Sequence, residues 1–162
     1  FNMDTFSSVG LRFFTVYGPW GRPDMAPLKF LSSLLRNEEI NLFNQGQSIR
    51  DFTYIEDAIK ATYLIHKKKI QMENDGQSVD SSSMIYNIGS SKPIKILDFI
   101  KILEEITGKK FLIKYENKVI GDVEKTLSDS SKLEKFINYK PSTNIQLGLE
   151  KLFEWYKSYY LS

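Results

Sequence analysis

Two arginines and a threonine stand where the chain could grip an anion. Thr15 lies near the end of the apolar run Leu11 to Tyr17, and Arg22 follows the tight loop Gly18-Pro19-Trp20-Gly21. A guanidinium binds a carboxylate or phosphate through two parallel hydrogen bonds, and a threonine hydroxyl donates to a hydroxyl or a carboxylate. Arg50 sits between Ile49 and Phe52, which bury its stem, and Asp51 beside it either fixes the guanidinium or serves a separate structural role. Lys29, two residues past Pro27, faces either a phosphate or solvent. On residue type alone each has a plainer reading. Thr15 is a β-branched strand residue, Arg22 a solvated loop arginine, Lys29 a surface helix lysine and Arg50-Asp51 a structural ion pair.

The elements that must position these residues follow from the pattern. Leu11 to Tyr17 is apolar on both faces, which suits a strand buried on both sides of a parallel sheet, and Gly18-Pro19 stops it. Ligands in open α/β sheets bind beyond the carboxyl ends of strands, which is where Thr15 and Arg22 fall. Pro27 opens a helix with Leu28, Leu31 and Leu35 on one face, together with Phe30 and Leu34. Ile40 to Asn44 and Ile49 to Tyr54 read as short strands. Asp57 then caps or starts a helix whose shared face is Ile55, Ala58, Ile59 and Thr62. Residues 67 to 83 are polar and serine-rich and read as a surface loop. Met84 to Ile88 is a second buried strand, Lys95 to Thr107 a helix stopped by Gly108, and Phe111 to Tyr115 a strand. Gly121-Asp122 is a turn, Ser130 to Ile137 a short helix, and Ile145 to Tyr160 a final one. Gly148 inside that last helix marks close packing. The order predicts an α/β fold with a small mixed region.

The run LRFFTVYGPWGRPDMA, with Arg50-Asp51-Phe52-Thr53-Tyr54, Tyr86-Asn87-Ile88-Gly89, Gly121-Asp122-Val123 and Trp155-Tyr156, resembles the extended short-chain dehydrogenase/reductase family of sugar-nucleotide epimerases. The nearest branch is the UDP-glucuronate 4-epimerases of capsule biosynthesis. The resemblance covers residues 10–162, leaves residues 1–9 as a non-matching segment, and corresponds to about the C-terminal half of such an enzyme. It implies the last strands of a Rossmann-type parallel sheet plus the small substrate-binding region, an incomplete domain. It also assigns roles. Thr15 would meet the sugar, Val16 the nicotinamide, Arg22 the C6 carboxylate of glucuronate, Arg50 the UDP pyrophosphate and Asp122 the ribose. Some relatives carry an arginine two residues before the glycine of Gly121-Asp122, where this chain has Val119.

The chemistry implied is hydride removal from C4, rotation of the 4-keto sugar and hydride return, with NAD as the acceptor. The nine glycines here are scattered and form no G-x-G-x-x-G phosphate cradle. The resemblance places the family's Y-x-x-x-K base before residue 1. Tyr63-Leu64-Ile65-His66-Lys67 matches that spacing by letter, but with 22 basic residues in 162 such a match arises easily by chance. No catalytic residue, no turnover and no bound NAD are therefore expected of this chain alone, whose contribution would be to hold a UDP-sugar. The rival readings are a UDP-glucose 4-epimerase or dTDP-sugar dehydratase, or a non-catalytic nucleotide-sugar-binding module.

Composition removes other classes. There is no cysteine for a disulfide or thiolate, one histidine makes zinc improbable, and a net charge of +2 recruits neither nucleic acid nor membrane. No apolar run spans a bilayer, so a cytoplasmic protein is expected. Strands from a larger sheet leave an apolar edge, which predicts self-association.

Overall fold

A computed structural model describes residues 8–77 and 84–161. Thirteen elements follow in order: β1 (Gly10–Phe13), β2 (Thr15–Tyr17), α1 (Ala26–Arg36), β3 (Glu39–Phe43), β4 (Ile49–Arg50), β5 (Phe52–Tyr54), α2 (Ile55–Asn74), β6 (Ile85–Ile88), β7 (Ile94–Lys95), α3 (Ile96–Thr107), β8 (Leu112–Glu116), α4 (Ser131–Ile137) and α5 (Ile145–Tyr160). Three pairings are parallel: β1 with β6, β2 with β5, and β3 with β8. β4 and β7 pair antiparallel. This is the α/β architecture expected from the element order.

Two cores hold it. The larger lies between α1, α3, α5 and the strands, with Leu31, Leu34, Phe99, Leu103, Leu149 and Leu152 at or near zero exposure. Burying each such side chain contributes about 1.5–3 kcal/mol. The smaller packs α2 and α4 on β6 through Ala61, Ile65, Ile88 and Leu133. α5 meets β2 almost without a gap. A Cβ on Gly148 would lie 2.1 Å from the Tyr17 hydroxyl and 2.7 Å from its ring. Tyr17 packs edge-on to Phe52 and Tyr54, and burial raises its pKa.

Several elements differ from the sequence pattern. The strand expected over Leu11 to Tyr17 is two strands, because β1 and β2 take different partners and the ladder breaks at Phe14. It is not buried on both faces. Tyr17 is buried, but Phe13 is 52% exposed. The strand over Ile49 to Tyr54 splits in the same way at Asp51.

The loop expected over 67 to 83 is helical through Asn74. Its lysines, glutamine, methionine and glutamate are good helix formers, and Lys69 pairs with Glu73 one turn on at 3.1 Å. Residues 78–83 of that loop, like residues 1–7 of the non-matching segment, lie outside the described residues. On α2 the buried face is Ala58, Ala61 and Ile65, whereas Ile59 is exposed.

Asp57 does not cap α2. Its carboxylate accepts from the Tyr139 hydroxyl at 2.8 Å and from the N–H groups of Ser142 and Thr143 at 3.0 and 2.8 Å. Burial pushes its pKa up, but these donors outweigh burial and hold the carboxyl below its usual range.

Gly148→Ala tests the α5–β2 contact. Alanine gains about 1 kcal/mol in helix propensity. Against that, a methyl 2.1 Å from a buried hydroxyl forces a backbone shift, and overpacking of this kind costs about 1–3 kcal/mol. The expected result in urea unfolding is a net loss of stability.

Candidate functional site

The carboxyl end of β2 opens into two clefts. The first, about 480 Å3, is lined by Thr15, Val16 and the loop Gly18 to Arg22. The second, about 320 Å3, is lined by Thr15, Asp24, Asn41, Phe43, Ser48, Arg50 and Asp122 among others. Thr15 and Met25 belong to both walls. β3 alternates Ile40 and Leu42 inward with Asn41 and Phe43 outward, which delivers the latter two to the second cleft.

Two successive turns shape the first cleft. The Gly21 N–H donates to the Gly18 carbonyl at 3.2 Å, and the Met25 N–H donates to the Arg22 carbonyl at 3.1 Å. α1 then begins, with proline in its first turn. Trp20 takes a left-handed backbone at φ 62°, unusual for so bulky a residue. Its ring packs on Trp155 at 5.4 Å and Tyr159 at 4.8 Å. Each such contact supplies about 0.5–1.5 kcal/mol against that strain. The C-terminal aromatics are thus not all core. Tyr156 is buried, but Tyr159 and Tyr160 form an exposed cluster with Trp20. Arg22 reaches Asp24 with both nitrogens of one edge, Nε to Oδ1 at 3.1 Å and Nη2 to Oδ2 at 2.5 Å. The hydrogen bond from Arg22 draws the Asp24 carboxyl below its usual range.

Arg50 is fixed differently. Its Nη2 donates to Asp122 Oδ1 at 2.9 Å, and its Nη1 donates to the carbonyls of Ile49 and Glu124 at 3.0 and 3.3 Å. The 124–126 segment is itself held on β4. The Ile49 N–H donates to the Glu124 carbonyl at 2.8 Å, and the Thr126 N–H returns to the Ile49 carbonyl at 3.0 Å. Lys118 pairs with Glu124 at the outer edge of this loop. The Arg50 side chain is 19% exposed, against 73% for Arg22.

Asp51 takes the structural one of its two readings. It does not pair with Arg50. It is fully buried and accepts from the Ser90 hydroxyl at 2.6 Å, the Ser91 N–H at 3.1 Å and the Ser128 N–H at 2.8 Å. Its own N–H donates to the Thr126 hydroxyl at 3.0 Å. The segment after Tyr86-Asn87-Ile88-Gly89 joins the same network. Ser130 donates to the Gly89 carbonyl at 2.9 Å, and Asn87 Nδ2 donates to the Asp129 carbonyl at 3.0 Å.

Of the residues predicted from sequence, the fold brings Thr15, Val16 and Arg22 to the first cleft and Thr15, Arg50 and Asp122 to the second. Lys29 is exposed on α1 and lines neither. Tyr63 is 61% exposed and lines an apolar groove of about 430 Å3 with Phe13, Val16, Ile59 and His66. Asp24, Asn41, Phe43 and Ser48 were not foreseen. The Asp24 signal was its place two residues after Arg22 across a proline. The alternation of β3 was the signal for Asn41 and Phe43. No group of three or more acidic or histidine side chains suited to a metal occurs among the described residues. Nor is any helix there long and apolar enough to cross a membrane.

Residues 2–89 match the NAD dependent epimerase/dehydratase family. Protein CapI of Staphylococcus aureus is 37% identical over 94% of this chain and 48% of its own length. UDP-glucuronate 4-epimerase 4 of Arabidopsis thaliana is 40% identical over 95% of this chain and 37% of its own. Among solved structures, the UDP-glucuronic acid 4-epimerase of Bacillus cereus in complex with UDP-glucuronic acid and NAD superposes with a TM-score of 0.80 at 33% identity. It covers 94% of this chain, which corresponds to 46% of that one. The chain spans less than half the length of these relatives.

Asp51→Asn tests the buried network. An amide in that place sets a donor against a donor and removes the charge that three donors face. A loss of about 2–4 kcal/mol in urea unfolding is expected, the range for a buried charged acceptor taken from its partners.

Proposed function

The chain belongs to the NAD dependent epimerase/dehydratase family, and on that footing we propose that residues 10–162 form the sugar-nucleotide side of an NAD-dependent UDP-glucuronate 4-epimerase, a cytoplasmic isomerase. The observation that carries this reading is the pair of clefts that meet at Thr15, with an arginine on each. A nucleotide-linked uronate has the same two-part anionic form, a diphosphate and a carboxylate. Arg50, with its stem enclosed and one edge held by Asp122, binds the diphosphate. Arg22 binds the sugar carboxylate through a bidentate pair, and Thr15, in the wall of both clefts, bonds the hexose between them. The outer oxygen of Asp122 accepts from a ribose hydroxyl. Lys29 stays a helix-surface lysine.

NAD supplies hydride transfer in such an enzyme. Among the described residues, no strand–turn–helix carries a glycine-rich cradle for its pyrophosphate, so these residues do not hold that part of the cofactor. Val16 offers only an apolar wall to a ring in the first cleft. What these residues do is bind, orient and discriminate.

Calorimetry of the chain with UDP, UDP-glucuronate and UDP-glucose tests the assignment. Arg50→Ala weakens all three by about tenfold or more, as expected for loss of a charged hydrogen-bond donor. Arg22→Ala weakens UDP-glucuronate by a similar factor, about tenfold, and leaves UDP and UDP-glucose little changed. Equal losses across the three ligands with Arg22→Ala overturn the glucuronate reading.

The groove beside the clefts supports self-association of this chain. Phe13, Ile59 and Tyr63 expose apolar surface there, and β1 pairs only with β6 among the described strands. Sedimentation at rising concentration is expected to show a mass above 18.8 kDa. A species that stays monomeric throughout rules this out.

A further inference from the structure

Arg22 carries more N–H groups than one carboxylate uses. Asp24 occupies the edge formed by Nε and Nη2, and among the described residues Nη1 has no protein partner. The pair is built into a turn. Pro23 stands between the two residues, and the Met25 N–H closes back on the Arg22 carbonyl at 3.1 Å. Proline fixes the backbone at the middle of that turn, so the two side chains meet without further ordering of the chain. Arg22 lines the first cleft and Asp24 the second, so the ion pair spans the seam between them.

We propose that Asp24 is a positioning residue that makes the site selective for acidic sugars: it pins one edge of the Arg22 guanidinium so that the Nη1 edge is presented to the carboxylate of the sugar. The inference rests on the assignment of Arg22 to a uronate carboxylate. Both side chains are mostly exposed, 73% and 62%, and exposed ion pairs add little to folding stability. The effect of Asp24 is therefore on the rotamer of Arg22. A free arginine loses much of its side-chain entropy on gripping a ligand, and a pinned one has lost it already. The opposing effect is repulsion between the Asp24 carboxylate and that of the sugar. The two lie on adjacent edges of one cation, in a solvated cleft where water screens them. Pinning is the larger effect on this geometry, which fixes the sign of the test.

The variants are Asp24→Asn, Arg22→Ala and the double variant, each as the full chain, titrated with UDP, UDP-glucuronate and UDP-glucose at one ionic strength. Asp24→Asn is expected to weaken UDP-glucuronate by about fivefold, the scale of one side chain left unordered. UDP and UDP-glucose stay within about twofold, and the melting temperature is unchanged. In the Arg22→Ala background, Asp24→Asn has no further effect, which a merely structural role would not produce. Unchanged or tighter UDP-glucuronate binding overturns the proposal. So does equal weakening of all three ligands, or an Asp24→Asn effect that persists without Arg22. A wild-type chain with no preference for UDP-glucuronate over UDP-glucose sinks the carboxylate assignment itself. A preference that Asp24→Asn leaves undiminished sinks only the positioning role.

Discussion

The buried carboxylate of Asp51 is the constraint on which the second cleft depends. An ionised group with no exposure persists only where donors surround it, and here the donors come from two distant segments, Ser90-Ser91 and Ser128. Those bonds draw the 90–91 and 126–128 segments onto one residue of the chain that joins β4 to β5. That residue is also where the strand breaks. With Asp51 turned inward, Phe52 drops into the main core, where its ring lies 4.6 Å from that of Phe99. Arg50, on the other side of Asp51, is left facing the cleft. The loop that supplies Asp122 and the Glu124 carbonyl to Arg50 runs directly into Thr126 and Ser128. The anchoring of the guanidinium and the buried charge are one construction.

The two arginines then work in different dielectric settings. Arg50 keeps 19% exposure and three protein acceptors, so its position is set before any ligand arrives and its charge is less screened. Arg22 stands in solvent on a turn, held by one neighbour. In the proposed assignment the fixed cation meets the diphosphate, which every sugar nucleotide shares. The exposed one meets the sugar, which varies. A site that must tell one hexose from another gains by placing its discriminating group where a small change in the turn redirects it.

Much of this was legible in the sequence because it rests on local rules. α1, α3 and α5 follow from leucine spacing, Pro27, and the Gly108 stop. Gly148 announced a close helix contact, since glycine in a helix interior is otherwise a loss. What escaped was set by tertiary pairing. Leu11 to Tyr17 looks continuous, and nothing in its residues says that its two halves take partners 75 and 37 positions away, as the register shows for Arg12 with Asn87 at one end and Thr15 with Phe52 at the other. The Asp51 network was hidden because it joins a motif to serines with no motif of their own. The stretch after His66 reads as loop because its polarity, Gly76 and the serines beyond mask the helix propensity of residues 67–74. The pairing of Arg22 with Asp24 needed the turn, which only the backbone reveals.

The short strand β2 shows how packing far from a site sets the site. Side chains on a strand alternate, so Thr15 and Tyr17 share one side and Val16 takes the other. Tyr17 is held between Phe52, Tyr54 and the bare backbone of Gly148, with no room to turn out. Once Tyr17 is inward, parity sends Thr15 to the seam of the two clefts and Val16 toward the apolar groove beside the first. A one-residue slip of this strand would put Val16 at the seam and Gly18 in the place of Tyr17, leaving the space against α5 unfilled. The glycine in α5 makes no contact with any ligand in the proposed site, yet it excludes that slip. The orientation of the threonine is a consequence of how closely a helix can approach a tyrosine.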